Sequence, residues 1–161
     1  MLYLNYQVLF IVYQHWHEQQ VITATCELHE ESIIMAKRIL MIEDDREMVT
    51  LGKLILEREG YEVLAAYGGS EGLELLRGQQ GEVDLLLLDI MMIGMDGWQV
   101  LTEVKADEKL RHIPVIMLTA RHYLEDENET ASYADKFEHY VVKPFVVRDL
   151  LAKIAEVVNR P

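Results

Sequence analysis

From about residue 37 onward, the chain alternates short apolar runs with longer amphipathic segments, and this alternation restricts its fold more than any other feature. The runs are short and almost wholly apolar, as strands are when helices cover both faces of a parallel sheet. Five of them are predicted strands: Arg38–Ile42, Tyr61–Ala66, Val83–Leu88, Pro114–Thr119 and Tyr140–Val142. We therefore predict an α/β fold with a parallel five-stranded sheet, right-handed crossovers and helices on both faces.

The segments that follow the strands repeat apolar residues at helical spacing. A first helix is predicted around Met48–Ile55 and ends near Gly60, where glycine favours termination. The other predicted helices follow Gly68 and Gly69, or cover Trp98–Ala106, Glu127–Asp135 and Val146–Val158. The segment Glu127–Asp135 is the most polar of them and is the weakest helix prediction.

A change of composition near Met35 divides the chain. Residues 1–34 contain no Lys or Arg, whereas all 15 lie from Lys37 onward. We predict an N-terminal extension, 1–36, and a domain, 37–161. Two interpretations of the extension stay open: a strand or interfacial helix that packs on the domain or a partner, or a mis-assigned start upstream of a natural one at Met35. Its apolar run, 8–13, is too short to span a membrane, which takes about 20 residues.

Charge and cysteine content limit the class of protein. The formal net charge is −13, which argues against direct nucleic-acid binding because that requires a basic surface. The single cysteine, Cys26, excludes an intramolecular disulfide and fits a reducing, cytoplasmic location. His15 and His17 have a spacing that suits a metal on a strand, but without a third ligand nearby two ordinary histidines are the favoured interpretation.

Polar side chains follow the predicted strands and should meet at one edge of the sheet. They are Glu43, Asp44 and Asp45 after the first strand, Asp89 after the third, Thr119 and Ala120 at the end of the fourth, and Lys143 and Pro144 after the fifth. Ligands of open parallel sheets bind at this carboxyl edge. Clustered carboxylates call for a cation, and Mg²⁺ prefers oxygen ligands. Taken alone, Asp45 is better explained as a helix cap and Lys143 as a solvated loop residue. Taken together, the residues at this edge favour phosphoryl chemistry with Asp89 as the nucleophile.

Four segments resemble signatures of the receiver domain of two-component response regulators. They are "ILMIEDD", "LLLLDIMMIGMDG", "VIMLTA" and "YVVKPF", in the same order and at fitting spacings, within 37–158. The resemblance implies a flavodoxin-like doubly wound sheet with strand order 2-1-3-4-5.

The resemblance also assigns roles to individual residues. Asp89 matches the phosphoacceptor, Thr119 and Lys143 match the hydroxyl and the lysine that assist it, and Tyr140 matches the aromatic switch residue. The implied Mg²⁺ ligands are Glu43, Asp44, Asp89 and the backbone carbonyl of Met91. Pro144 is expected to follow a cis peptide bond.

The partners that the resemblance implies are proteins. A histidine kinase or histidine phosphotransfer protein would supply the phosphoryl group. Phosphorylation would then shift the population of the domain toward an active state. In that state, the face formed by the fourth helix, the fifth strand and the fifth helix would be remodelled to bind a downstream target. Homodimerisation through the last two helices stays open. Because no effector domain follows in the sequence given, we expect a stand-alone receiver that does not bind DNA directly, and a receiver cut from a larger protein would look the same.

The sequence departs from the family pattern at several positions. Ile93 stands where proline is usual, and Tyr133–Tyr140, "YADKFEHY", replaces a segment of small residues. Met91 and Arg121 lie two residues after Asp89 and Thr119, where they would flank the path of the attacking water. The resemblance implies a domain that catalyses its own phosphorylation, and these two side chains lead us to expect that it dephosphorylates itself slowly.

Two other functions compete with this prediction. One is a pseudo-receiver that is never phosphorylated and serves as a scaffold; the intact acidic and basic residues argue against it. The other is a dehalogenase-like phosphatase, which requires a second aspartate two residues after the nucleophile. That position is Met91, so this function is disfavoured.

Overall fold

The computed structural model describes residues 36–79, 82–120 and 132–160. Its strands are β1 (Arg38–Ile42), β2 (Glu62–Ala66), β3 (Leu85–Asp89), β4 (Val115–Ala120) and β5 (His139–Lys143). Its helices are α1 (Arg46–Arg58), α2 (Gly69–Gly78), α3 (Gly97–Ala106) and α4 (Val147–Val158). The predicted extension and most of the helix predicted over Glu127–Asp135 lie outside the described residues, so both stay predictions.

The five strands form one sheet in the order β2-β1-β3-β4-β5, and every neighbouring pair is parallel. This confirms the predicted fold class and strand order. β1 has its predicted limits, whereas the other strands begin or end one or two residues away from theirs, and β3 is the clearest case. It starts at Leu85 rather than at Val83, and the residue before it, Asp84, accepts a hydrogen bond from the Arg38 nitrogen through its side chain.

Helices cover both faces of the sheet, and successive strand residues alternate between two buried clusters. Leu86 and Leu88 pack with residues of α2 and α3, whereas Leu85 and Leu87 pack with residues of α1 and α4. This explains the unbroken leucine run: both faces of β3 are buried, so its residues before Asp89 are all apolar. The helices cover the two faces of the sheet, and the polar groups lie at its carboxyl edge.

Candidate functional site at the carboxyl edge

The predicted site residues come together at the carboxyl ends of β1, β3 and β5. Glu43 directly follows β1, Asp89 is the last residue of β3, and Lys143 is the last residue of β5. The register aligns them, since Asp89 pairs with Leu118 of β4 and Lys143 pairs with Ala120. Parallel strands that end together therefore bring residues far apart in sequence to one edge.

Three carboxylates form the acidic part of the site. Glu43, Asp44 and Asp89 each offer an oxygen, and these oxygens lie within 4.8 Å of one another. Glu43 is 1 % exposed and Asp89 is 3 % exposed, so water screens their repulsion poorly. An all-oxygen donor set with surplus negative charge fits a hard divalent cation.

Lys143 supplies the one cation that contacts these carboxylates in the part of the chain that the structure describes. Its Nζ lies 2.9 Å from Asp89 Oδ1 and 2.5 Å from Glu43 Oε2. The Lys143–Pro144 peptide bond is cis. One ammonium group thus bridges two buried carboxylates and leaves the site with excess negative charge.

The pKa values reflect this imbalance. Burial is the main reason that the pKa of Glu43 is raised to about 7; the charge of Asp89 adds to the rise, and the hydrogen bond from Lys143 opposes it. Burial lowers the pKa of Lys143, but hydrogen bonds to Glu43 and Asp89 outweigh that effect and raise it overall. The lysine therefore stays charged, whereas a proton or another cation is needed to balance the acids.

Asp44 and Asp45 have different roles although they are adjacent. Asp44 Oδ2 accepts a hydrogen bond of 3.0 Å from the Ile93 nitrogen, which ties the end of β1 to the loop after β3. Asp45 caps α1, because its side chain accepts from the nitrogens of Glu47 and Met48. The cap explanation for Asp45 is confirmed, and Asp44 remains oriented toward the acidic site by its loop contact.

Thr119 and Tyr140 lie on the neighbouring strands β4 and β5. Thr119 is fully buried, and its hydroxyl donates to the Ala120 carbonyl over 3.1 Å. Tyr140 pairs in register with Met117, two residues before Thr119. Because alternate strand residues face the same side, Thr119 lies on the Met117 side of the sheet, toward α3.

The loop between β3 and α3 approaches Asp89 closely. A Cβ on Gly97 would lie 2.3 Å from the Asp89 carbonyl oxygen, so only glycine fits there. Gly94 has φ +86°, a conformation that disfavours residues with a Cβ. In the same loop, Met91 is 45 % exposed and Ile93 is 93 % exposed. Arg121, the other residue predicted to flank the water path, lies outside the described residues.

Sequence reasoning missed two features around the site. The hydrogen bond from Ile93 to Asp44 uses a backbone nitrogen, and its only sequence signal was the absence of proline at position 93. Aromatic contacts also surround Tyr140, from Trp98 and Phe137. The two aromatic residues of "YADKFEHY" that precede Tyr140 were the available signal for these contacts.

Comparison with known proteins agrees with this geometry. Residues 39–155 match the family of the response regulator receiver domain. The chain belongs to this family. Receiver domains serve phosphorelay signalling in two-component systems, and they form the class of protein that the four sequence signatures predicted. Among the described residues, no helix has the length and apolar character needed to cross a membrane.

Several solved receiver structures are similar to this one. The N-terminal domain of a response regulator receiver protein from Methanoculleus marisnigri is 39% identical with a TM-score of 0.61, and the match covers 77% of this chain and 98% of that chain. A receiver domain from Clostridium thermocellum is 30% identical with a TM-score of 0.69, over 77% and 95% of the two chains. Response regulator TrrA from Thermotoga maritima, solved in complex with Mg(2+)-BeF, is 35% identical with a TM-score of 0.64, over 75% and 98%.

Proposed function

We propose that this receiver domain accepts a phosphoryl group on Asp89, in the presence of Mg²⁺, from a histidine kinase or histidine phosphotransfer protein. The observation that carries the proposal is the set of three clustered carboxylates, of which the two buried ones, Glu43 and Asp89, both contact the Lys143 ammonium group. A scaffold has no need for such a set, because buried like charges cost stability unless a ligand or a reaction uses them. The TrrA complex with Mg(2+)-BeF supports the choice of metal.

The transfer proceeds by displacement at phosphorus. A carboxylate oxygen of Asp89 forms the new P–O bond, the P–N bond to the donor histidine breaks, and the imidazole leaves with the bonding electrons. Lys143 holds the Asp89 carboxylate in place and balances charge on the phosphoryl oxygens. Glu43, Asp44, Asp89 and the Met91 carbonyl would hold Mg²⁺, which would neutralise further charge there.

Phosphorylation would then act as a switch. We propose that Thr119 contacts the phosphoryl group and that Tyr140 packs behind it, because both lie on the same side of neighbouring strands. The changed face, built from the region before β5, β5 itself and α4, would bind a downstream protein. A phosphoryl group needs to favour the active state by only a few kcal/mol to produce this response.

Self-dephosphorylation should be slow in this domain. Met91 is half-exposed at the mouth of the site, and its thioether side chain neither orients nor activates a water molecule. A phosphoryl group on Asp89 should therefore persist well beyond seconds. The decay of the phosphorylated mass after removal of the phosphoryl donor measures this lifetime, and decay within seconds would contradict the proposal.

The decisive experiment is intact-mass measurement after incubation with acetyl phosphate and Mg²⁺. We expect a gain of about 80 Da, one phosphoryl group, that requires Mg²⁺ and is absent in Asp89→Asn. Asp96→Asn is the matched control, because Asp96 caps α3 and asparagine also serves as a cap. No gain in the wild-type chain would favour the pseudo-receiver scaffold instead.

A further inference from the structure

Four aromatic side chains lie together on the α3 side of the sheet and form what we call the aromatic cluster. Trp98 of α3 stacks on Tyr133, with ring centroids 4.6 Å apart and planes 16° apart. Phe137 lies 4.3 Å from Tyr140 and 6.2 Å from Trp98, and Tyr140 meets Trp98 edge-on at 6.4 Å. All four distances lie in or near the range over which aromatic rings attract one another.

The aromatic cluster is part of the core rather than a surface patch. Trp98 is 6 % exposed, and the other three rings are half-buried and pack against the same core cluster. Among the described residues, the buried Trp98 Nε1 has no hydrogen-bond partner. Burial of this N–H without a partner costs free energy, and the rings of Tyr133, Phe137 and Tyr140 pack around Trp98. Tyr140 therefore packs toward α3 through contacts with other rings.

Phe137 makes the shorter of the two ring contacts with Tyr140. It belongs to Tyr133–Tyr140, the segment that stands where the family resemblance leads us to expect small residues. A small residue at position 137 would leave open the space that the phenyl ring fills. Phe137 is thus the member of the aromatic cluster best placed to restrict the motion of Tyr140.

We propose that Phe137 is a positioning residue for the switch: its ring holds Tyr140 against Trp98 before Asp89 is phosphorylated. The proposal rests on the proposed function, in which Tyr140 is the switch residue. We call this position of Tyr140 against Trp98 the inward position. The unphosphorylated domain then already populates it, so phosphorylation has to produce a smaller shift in population. An aromatic pair of ordinary strength corresponds to about fivefold in such a population ratio.

Solution NMR on the full, unphosphorylated chain tests the contact directly. Nuclear Overhauser effects between the Tyr140 and Trp98 rings should be strong in the wild type and weaker in Phe137→Ala, with the inward-to-outward ratio lowered about fivefold. Phe137→Leu keeps apolar volume without a ring and should also weaken them. Phe137→Tyr keeps the ring and should retain the wild-type nuclear Overhauser effects. If Phe137 only filled space, Phe137→Leu would retain them as well.

Tyr61→Ala is the matched control, because Tyr61 is also a half-buried aromatic but packs against the core cluster on the opposite face. It should leave the effects between Tyr140 and Trp98 unchanged. The proposal is overturned if Phe137→Ala keeps wild-type intensities or if Tyr61→Ala weakens them equally. If Phe137→Ala does not fold, Phe137→Leu decides the question by the same comparison.

The mass of the same samples after treatment with acetyl phosphate and Mg²⁺ separates this inference from the proposed function. A normal mass gain with unchanged ring contacts in Phe137→Ala and Phe137→Leu would overturn the positioning role alone. No gain in the wild type would overturn phosphoryl acceptance, while the ring contacts would still show whether Phe137 holds Tyr140.

Discussion

At the amino edge of the sheet, Asp84 accepts hydrogen bonds from the Arg38 nitrogen and the Lys37 ammonium group; at the carboxyl edge, Asp89 and Glu43 share Lys143. Each edge has an aspartate that pairs with a lysine, but the surroundings of the two pairs differ. Asp84 is 34% exposed and its partner Lys37 is 47% exposed, whereas the two carboxylates at the other edge are almost fully buried. One lysine pairs with one carboxylate at Asp84, whereas one lysine is shared by two carboxylates at Asp89.

The pKa values record this difference between the edges. Burial raises the pKa of Asp84, but the hydrogen bonds from Arg38 and Lys37 outweigh it and lower the pKa overall. Burial instead dominates at Glu43 and raises its pKa to about 7. Charges at the amino edge thus contribute to folding, whereas charges at the carboxyl edge are held in an unfavourable state that a cation or a reaction relieves.

The largest difference between the two edges should be their effect on the rate of phosphorylation. Lys143→Met removes the charge that holds Asp89, and we expect phosphorylation by acetyl phosphate to slow on the order of 100-fold. Lys37→Met, the matched change at the amino edge, should leave the rate within about twofold, since exposed ion pairs contribute little. The measurement is the rate of mass gain. Equal rates for the two variants would remove Lys143 from the proposed mechanism.

The second effect concerns the backbone beside Asp89. Gly97→Ala would place a Cβ 2.3 Å from a carbonyl oxygen that cannot move without disturbing β3, so we expect a loss of about 3 kcal/mol in the free energy of unfolding. Gly78→Ala meets no atom within 4 Å and should be neutral or slightly stabilising, by about 0.5 kcal/mol. Urea denaturation measures both variants. Similar unfolding free energies for the two variants would show that the loop after β3 accommodates the added methyl group at little cost.

The third effect is stabilisation by Mg²⁺, which should depend on the carboxyl edge alone. A ligand that binds only the folded state at 100 times its Kd adds about 2.7 kcal/mol to the free energy of unfolding. Asp44→Asn removes a predicted ligand and should abolish most of that gain, whereas Asp84→Asn should keep it. Thermal denaturation with and without Mg²⁺ gives the comparison. A gain retained in Asp44→Asn would place the ion elsewhere.

Most of the carboxyl edge was predictable because single residues at strand ends define it. A parallel sheet brings Glu43, Asp89, Thr119 and Lys143 together whatever the details of packing, so the sequence indicated their convergence. The contacts of Phe137 and Trp98 were not predictable, because they depend on how side chains from distant segments fill a shared volume. The backbone hydrogen bond from Ile93 to Asp44 was not predictable either, because every residue except proline offers that nitrogen.

The smallest expected effect lies at the amino edge and depends on pH. Because the folded-state pKa of Asp84 is below its ordinary value of 3.8, its carboxylate stabilises the fold above that pH and loses this contribution as the pH falls through the folded-state pKa. Asp84→Asn should therefore cost about 1 kcal/mol at neutral pH, allowing for partial exposure, and less at pH values below the folded-state pKa. Urea denaturation at both pH values measures the difference. A cost independent of pH would mean that Asp84 acts through shape rather than charge, and the contrast between the two edges would then rest on burial alone.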